Sequence, residues 1–259
     1  MSRSIVKEVT IDAPADAVWK ALTEADQLIR WFPVDARVRP GPGGSIWISW
    51  GGGTEGEAPI TAWEPNRRFG WTETRGPVKL AVEFHLEAAG GRTVVRLVQS
   101  GFGDGPDWDD EFHMTTGGWS YFVEHLRWYL ERHRGVPRDL IAFRDPVETT
   151  RAQAFASLLG PAGLSVDGSL RTAKAGEPYR TTTAAGDPLS GTVVASSPDT
   201  WQMGFTIDQL GDAIAFIEIE PAEGGARAGF WLSTYGLGGR VGEVRARFGS
   251  LYRSAIARS

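Results

Sequence analysis

Apolar and polar residues alternate at the start of the chain. Ile5, Lys7, Val9 and Ile11 fall on one side and Val6, Glu8 and Thr10 on the other, the period of a strand. Asp12-Ala-Pro-Ala-Asp16 follows. Pro14 suits a first helical position and Asp16 the positive end of a helix dipole, and Val18, Trp19 and Leu22 make an apolar stripe. Leu28 and Trp31 share a face of a second short helix that Pro33 closes. From Pro40 onward the period is two: Ile46 to Trp50, Ile60 to Trp63, Phe69 to Trp71, Leu80 to Leu86 and Thr93 to Gln99, joined by short glycine-rich turns. Such spacing predicts an antiparallel meander with one buried face. A long helix is predicted over about Asp109 to Arg134, acidic in its first turn and basic in its last, with Trp119, Val123, Leu126 and Leu130 as its stripe.

The second half repeats that order more loosely. Phe143 to Val147 reads as the opening strand and Arg151 to Leu159 as the first helix. Strands are expected near Leu170, Tyr179, Thr192, Met203, Ile217 and Phe230, and a helix over most of Gly238 to Ala257. Glu87-Ala-Ala-Gly-Gly91 leads to Gly101-Phe-Gly103, as Glu220-Pro-Ala-Glu-Gly-Gly225 leads to Tyr235-Gly-Leu237. Matched landmarks in matched order predict a duplication, with domains at 1–137 and 138–259.

Composition narrows the function classes. The 259 residues are 41% hydrophobic and 23% charged, the balance of a globular protein. With no cysteine, thiol catalysis and zinc–thiolate sites are excluded. A net charge of −5 argues against nucleic-acid binding, which needs a basic face. No apolar run is long enough to span a membrane, and the N-terminal stretch has no apolar signal core. The sequence therefore reads as cytoplasmic. Nine of the 11 Trp and all four His lie in the first half, which is where a specialised site is expected.

Ile11-Asp-Ala-Pro-Ala-Asp-Ala-Val-Trp-Lys-Ala-Leu-Thr23, then Leu28, Trp31 and Pro33, resembles the opening of the activator of heat-shock-protein-90 ATPase homologue family. Gly43-Gly44, Pro65-x-x-x-Phe69-x-Trp71, Gly101-Phe102 and Gly118-Trp119 extend the likeness across about residues 4–134. The family lies within the helix-grip superfamily of START and pollen-allergen-like domains. The resemblance implies an α+β fold of two helix-grip domains, each a curved antiparallel sheet around a long C-terminal helix, often with a cavity for a hydrophobic small molecule. The second half resembles a degenerate copy: Gly160-Pro-Ala-Gly163 stands where a Leu-x-x-Trp-x-Pro segment belongs, and its last helix lacks the Gly-Trp pair.

Three chemical signals have simpler readings. Gly51-Gly-Gly-Thr-Glu-Gly56 satisfies G-x-G-x-x-G, but the next segment reads as a strand, so a hairpin turn is expected in place of a phosphate cradle. The acidic run Asp104 to Glu111 lacks the spacing of a calcium loop and suits a helix N-terminus. His85 is expected to face outward, and His125 and His133 to be solvated or capping.

The candidate site is a cavity between sheet and last helix in the first half. Alternation turns Ile48, Trp50, Ile60, Trp71, Val82, Phe84 and Leu97 inward, with Glu73 and Gln99 continuing those rows. A polar group on an apolar wall orients a ligand, and a carboxylate there is a candidate base. Trp31 joins them from the second helix. His113, Thr116, Gly117 and Ser120 share one helix face where small and polar side chains leave room. The reading is a non-catalytic binder of a small hydrophobic molecule, with no cofactor and no metal, a monomer or homodimer, whose second domain is structural. The alternatives are a co-chaperone-like regulator of an ATPase, and a cyclase or hydrolase using Glu73, His113 or Gln99.

Overall fold

A computed structural model describes residues 2–76 and 78–258. The chain divides between Val136 and Pro137 into two compact units. The first runs β1 (Arg3–Ile11), α1 (Ala15–Thr23), α2 (Ala25–Leu28), β2 (Asp35–Arg39), β3 (Ser45–Gly51), β4 (Thr54–Glu64), β5 (Arg68–Arg75), β6 (Val78–Ala89), β7 (Arg92–Phe102) and α3 (Asp109–Arg132). Its seven strands are ordered β1-β7-β6-β5-β4-β3-β2, every neighbouring pair antiparallel. This is the predicted meander, with the first strand returning to lie beside the last. β2 precedes the point where the alternation becomes visible. Asp35, Arg37 and Arg39 are exposed there and only Ala36 is buried, so the strand carries almost no apolar signal.

The turns follow their residues. Gly51, Gly52 and Gly53 all have positive φ and close the β3–β4 hairpin, so the glycine-rich motif is a turn between strands. Gly101 is required by its neighbours as well as by its φ of +101°. A Cβ there would lie 2.0 Å from the carbonyl oxygen of Lys79. Phe102 can then drop fully into the core against Trp108 and Phe112. The acidic run fills the first turn of α3, where Asp109 also pairs with Arg3 at 2.6 Å. Pro14 precedes α1 as its cap, and its carbonyl accepts from the N–H groups of Ala17 and Val18.

The second unit runs β8 (Arg138–Val147), α4 (Arg151–Leu158), α5 (Ser169–Thr172), β9 (Pro178–Thr182), β10 (Pro188–Ser197), β11 (Gln202–Ile207), β12 (Ala213–Ala222), β13 (Gly225–Tyr235) and α6 (Val241–Ile256). Its sheet order is β8-β13-β12-β11-β10-β9, the circuit of the first unit with one strand fewer. Both units are α+β, each a sheet that closes on its first strand and ends in its longest helix.

Leu170 is buried on α5 and not on a strand. The Asp167 carboxylate accepts from the hydroxyls of Ser165, Ser169 and Thr181 and from the Ser169 N–H. These bonds fold the segment into a turn of helix and hold the Asp167 carboxyl well below the usual range. α4 starts on a capping box, with Thr150 and Gln153 serving each other's backbone N–H groups. Thr150→Ala is expected to cost about 1 kcal/mol, read as a lower urea midpoint with unchanged slope.

Candidate functional site

The register places Ile46, Ile48, Ala58, Ile60, Trp71, Val82, Phe84, Leu97 and Gln99 on one face of the first sheet. Ile46 pairs with Ala58, Ile60 with Trp71, Trp71 with Val82, Val82 with Gln99 and Phe84 with Leu97. Glu73, opposite the buried Leu80, continues that face. The rows expected from alternation are therefore the rows observed.

Much of the space over this face is filled by aromatic rings. Trp119 of α3 stacks on Phe32 at 5.3 Å and meets Phe84 edge-on at 5.9 Å. Its indole N–H donates to Gln99 Oε1 at 2.5 Å. Phe122 of the same helix packs on Phe32 and on Trp50. Gln99 thus orients Trp119 inside the fold. Trp31 is fully buried and donates its N–H to the carbonyl of Ala21 at 2.9 Å.

What remains open is a cavity of about 300 Å³ over β3, β4 and β5. Ile46, Ala58 and Trp71 are its buried floor. Ile48, Trp50 and Glu73 are its half-buried walls, and Thr54, Glu55, Gly56, Glu57 and Thr74 are its exposed rim. The Trp71 ring is 3% exposed and packs between Phe69 and Phe84. Among the described residues, the indole N–H groups of Trp50 and Trp71 meet no hydrogen-bond acceptor. That sets them apart from Trp31 and Trp119.

The structure gathers Ile48, Trp50, Trp71 and Glu73 around the cavity. It places the other sequence-derived residues elsewhere. Val82, Phe84 and Leu97 are closed core, and Ile60 lies beside the floor. His113 is exposed on the second turn of α3. Thr116 and Ser120 return their hydroxyls to the helix carbonyls of Phe112 and Thr116, and Gly117 is buried. The room expected on that helix face is not part of the cavity wall. Sequence reasoning missed Ala58 on the floor, and the rim residues Thr54 to Glu57 and Thr74. Thr54 to Glu57 lie where β3 and β4 run out to solvent, and their polar pattern reads as a plain hairpin, while Thr74 lies near the end of β5.

The histidines of α3 need a correction. His125 and His133 are 1% and 8% exposed, not solvated. The helix buries a second ridge, Gly117, Tyr121, His125 and Tyr129, beside the stripe read from the sequence. His133 does cap the helix C-terminus. His85 lies on the opposite face of β6 from Phe84, where it meets Glu83 and, through it, Arg68.

In the second unit the corresponding space, over β10 and β11 against α6, is a smaller cavity of about 140 Å³ bordered by Leu189, Ile207, Leu210, Val244, Arg247 and Phe248. About 10 Å³ more remains among Leu158, Leu164, Phe230, Phe248, Leu251 and Tyr252. Among the described residues no group of three or more His, Asp or Glu is arranged to hold a metal ion, and no helix is long and apolar enough to cross a membrane.

Residues 12–131 match the family model described as activator of Hsp90 ATPase homolog 1-like protein. The N-terminal unit is a domain of this family. The match covers β1 to α3 nearly end to end, and so contains the whole cavity. Among solved structures, MLL2253 from Mesorhizobium loti is similar at 29% identity over 51% of this chain and 98% of that one, with a TM-score of 0.45. Two structures align with almost the whole chain, each over 98% of this chain and 96% of the other. They are DynU16, a putative protein of the dynemicin biosynthetic locus (20% identity, TM-score 0.45), and the di-domain ARO/CYC BexL of the BE-7585A biosynthetic pathway (15% identity, TM-score 0.44). No curated protein matches the chain in sequence.

Proposed function

We propose that the N-terminal unit binds a small, mostly apolar molecule in the cavity over β3, β4 and β5, without transforming it. One observation carries this reading. Trp71 is almost wholly buried on the cavity floor, yet its N–H meets no protein acceptor among the described residues. That nitrogen keeps some solvent contact, so an occupant of the cavity with an acceptor atom can take the place of the water that meets it. The volume suits a compact ligand, at the small end of the usual range of about 300–1,000 Å³. The described lining holds no histidine, and its titratable groups are the carboxylates Glu55, Glu57 and Glu73. This favours binding over a cyclase or hydrolase role for Glu73, His113 and Gln99. The second unit, whose cavity is about 140 Å³ against about 300 Å³ in the first, is read as structural.

The test uses the full chain and a neutral fluorescent probe, N-phenyl-1-naphthylamine. Saturable one-to-one binding is expected. Ile48→Trp, which adds a ring to the wall, is expected to weaken that binding at least about tenfold while leaving the melting temperature within a few degrees. No binding, or equal binding by the variant, rejects the assignment. The family description brings a second reading, regulation of an ATPase through protein contacts. Repeated recovery of one ATPase by the bait chain, undiminished by Ile48→Trp, would favour it.

A further inference from the structure

We propose that Lys7 is a modification site, an amine that takes up the acyl group of a thioester. β1 turns Ile5, Lys7, Val9 and Ile11 to the inner face of the first sheet, and the three apolar members of that row are buried. Lys7 stands opposite the fully buried Leu97 of β7, and α3 packs against the same strand. β1 is the edge of its sheet, so a long side chain can lie along the apolar row and still bring its amine to solvent. Lys7 is accordingly half-buried, whereas the other lysines, Lys20, Lys79 and Lys174, are exposed. Lys7 lies outside the lining of the cavity over β3, β4 and β5, so its chemistry is independent of any ligand there.

No opposite charge is set beside this amine. Among the described residues Lys7 forms no ion pair and no side-chain hydrogen bond. The facing strand offers Val95, Leu97 and Gln99, none of them charged. On α3, Asp109 pairs with Arg3, Glu124 pairs with Arg127 and Glu131 accepts from the Asp12 N–H, and no titratable group of that helix bonds to Lys7. Burial therefore acts on the amine unopposed and holds it below the ordinary lysine value. Near neutral pH more of it is then the uncharged nucleophile than in an exposed lysine. The Nζ lone pair attacks the thioester carbonyl carbon. A C–N bond forms as the C–S bond breaks, the electron pair leaves on sulfur, and the proton lost by Nζ ends on the released thiol. The amide carries no charge, which removes the cost of keeping an ammonium half out of water beside Leu97. An apolar acyl chain also suits the row along which the lysine stem lies.

The experiment treats the full chain with a low concentration of S-acetyl-N-acetylcysteamine between pH 7 and 10 and follows each lysine by peptide mass spectrometry. At pH 8 Lys7 is expected to be acetylated at least about threefold faster than Lys20, Lys79 or Lys174. Its rate is expected to reach half its plateau at a lower pH than theirs. Unfolding in urea is expected to erase both differences, because they arise from burial. Equal or slower acetylation of Lys7 in the folded chain overturns the assignment, even with a low half-rise, since the amine is then neutral but shielded. A lead that survives in urea overturns it as well, because it would belong to the local sequence and not to the fold.

Discussion

Trp119→Ala is expected to destabilise the N-terminal unit by about 3–5 kcal/mol, the cost of deleting a large buried ring from a packed interior. The ring is 5% exposed and touches Phe32, Phe84 and Phe122. Its loss removes those contacts and leaves the Gln99 amide facing a void, an added penalty for a polar group that has lost its partner. Urea unfolding followed by tryptophan fluorescence reads the change, since nine of the 11 Trp lie in this unit. Trp119→Phe, which keeps a ring but no N–H, is expected to lose less than half as much. A loss below about 1 kcal/mol for the alanine variant would mean the neighbouring rings collapse into the space.

This same pair shows where the sequence was legible and where it was not. The inward rows of β3 to β7 follow from alternation because a strand's side chains take turns between two faces, a local rule that needs no knowledge of partners. Glu73 and Gln99 were both legible as inward polar groups for that reason. Their different surroundings were not. Gln99 is taken up by a donor 20 residues further along the chain, while Glu73 opens on the cavity. Which of two inward polar groups meets a side chain of the covering helix depends on how the helix is seated across the sheet, and no local period encodes that. The helix itself misled in a similar way. Thr116, Gly117 and Ser120 suggested room because they are small, but small residues also let elements approach closely, and Gly117 is buried. Leu170 was misread because one apolar residue among polar neighbours fits a short strand. The decisive group was the Asp167 carboxylate three residues earlier, whose bonds to Ser165, Ser169 and Thr181 make a helical turn. The duplication, by contrast, was legible from order alone, and the two sheet circuits agree strand for strand except for β2.

Glu218→Gln is expected to stabilise the protein at pH 8 by about 2–3 kcal/mol and to change little at pH 4. Glu218 lies on β12, on the face opposite the core residues Ile217 and Ile219, and accepts from the Trp231 indole N–H at 2.9 Å. Burial pushes its carboxyl up from 4.5 to about 7, and the nearby Glu220 carboxylate pushes the same way. The Trp231 bond and the Arg144 charge pull it down but do not prevail, and Arg144 is itself bound to Glu220. The sign follows from comparing the two states. Below about pH 4 the group is protonated both folded and unfolded, so it imposes no penalty. Between about 4.5 and 7 the unfolded chain releases the proton first, so stability falls as pH rises. Above about 7 both states are ionised and the full cost of holding a charge there is paid. Glutamine keeps an oxygen for Trp231 and never ionises, so the difference between variant and parent should grow across that interval and then level off. Urea midpoints of both proteins from pH 4 to 9 measure it. Parallel profiles would show that the carboxylate keeps its water, whereas a variant less stable at every pH would show that Glu218 is valued as a charge and that Arg144, shared between two acids, is its true partner.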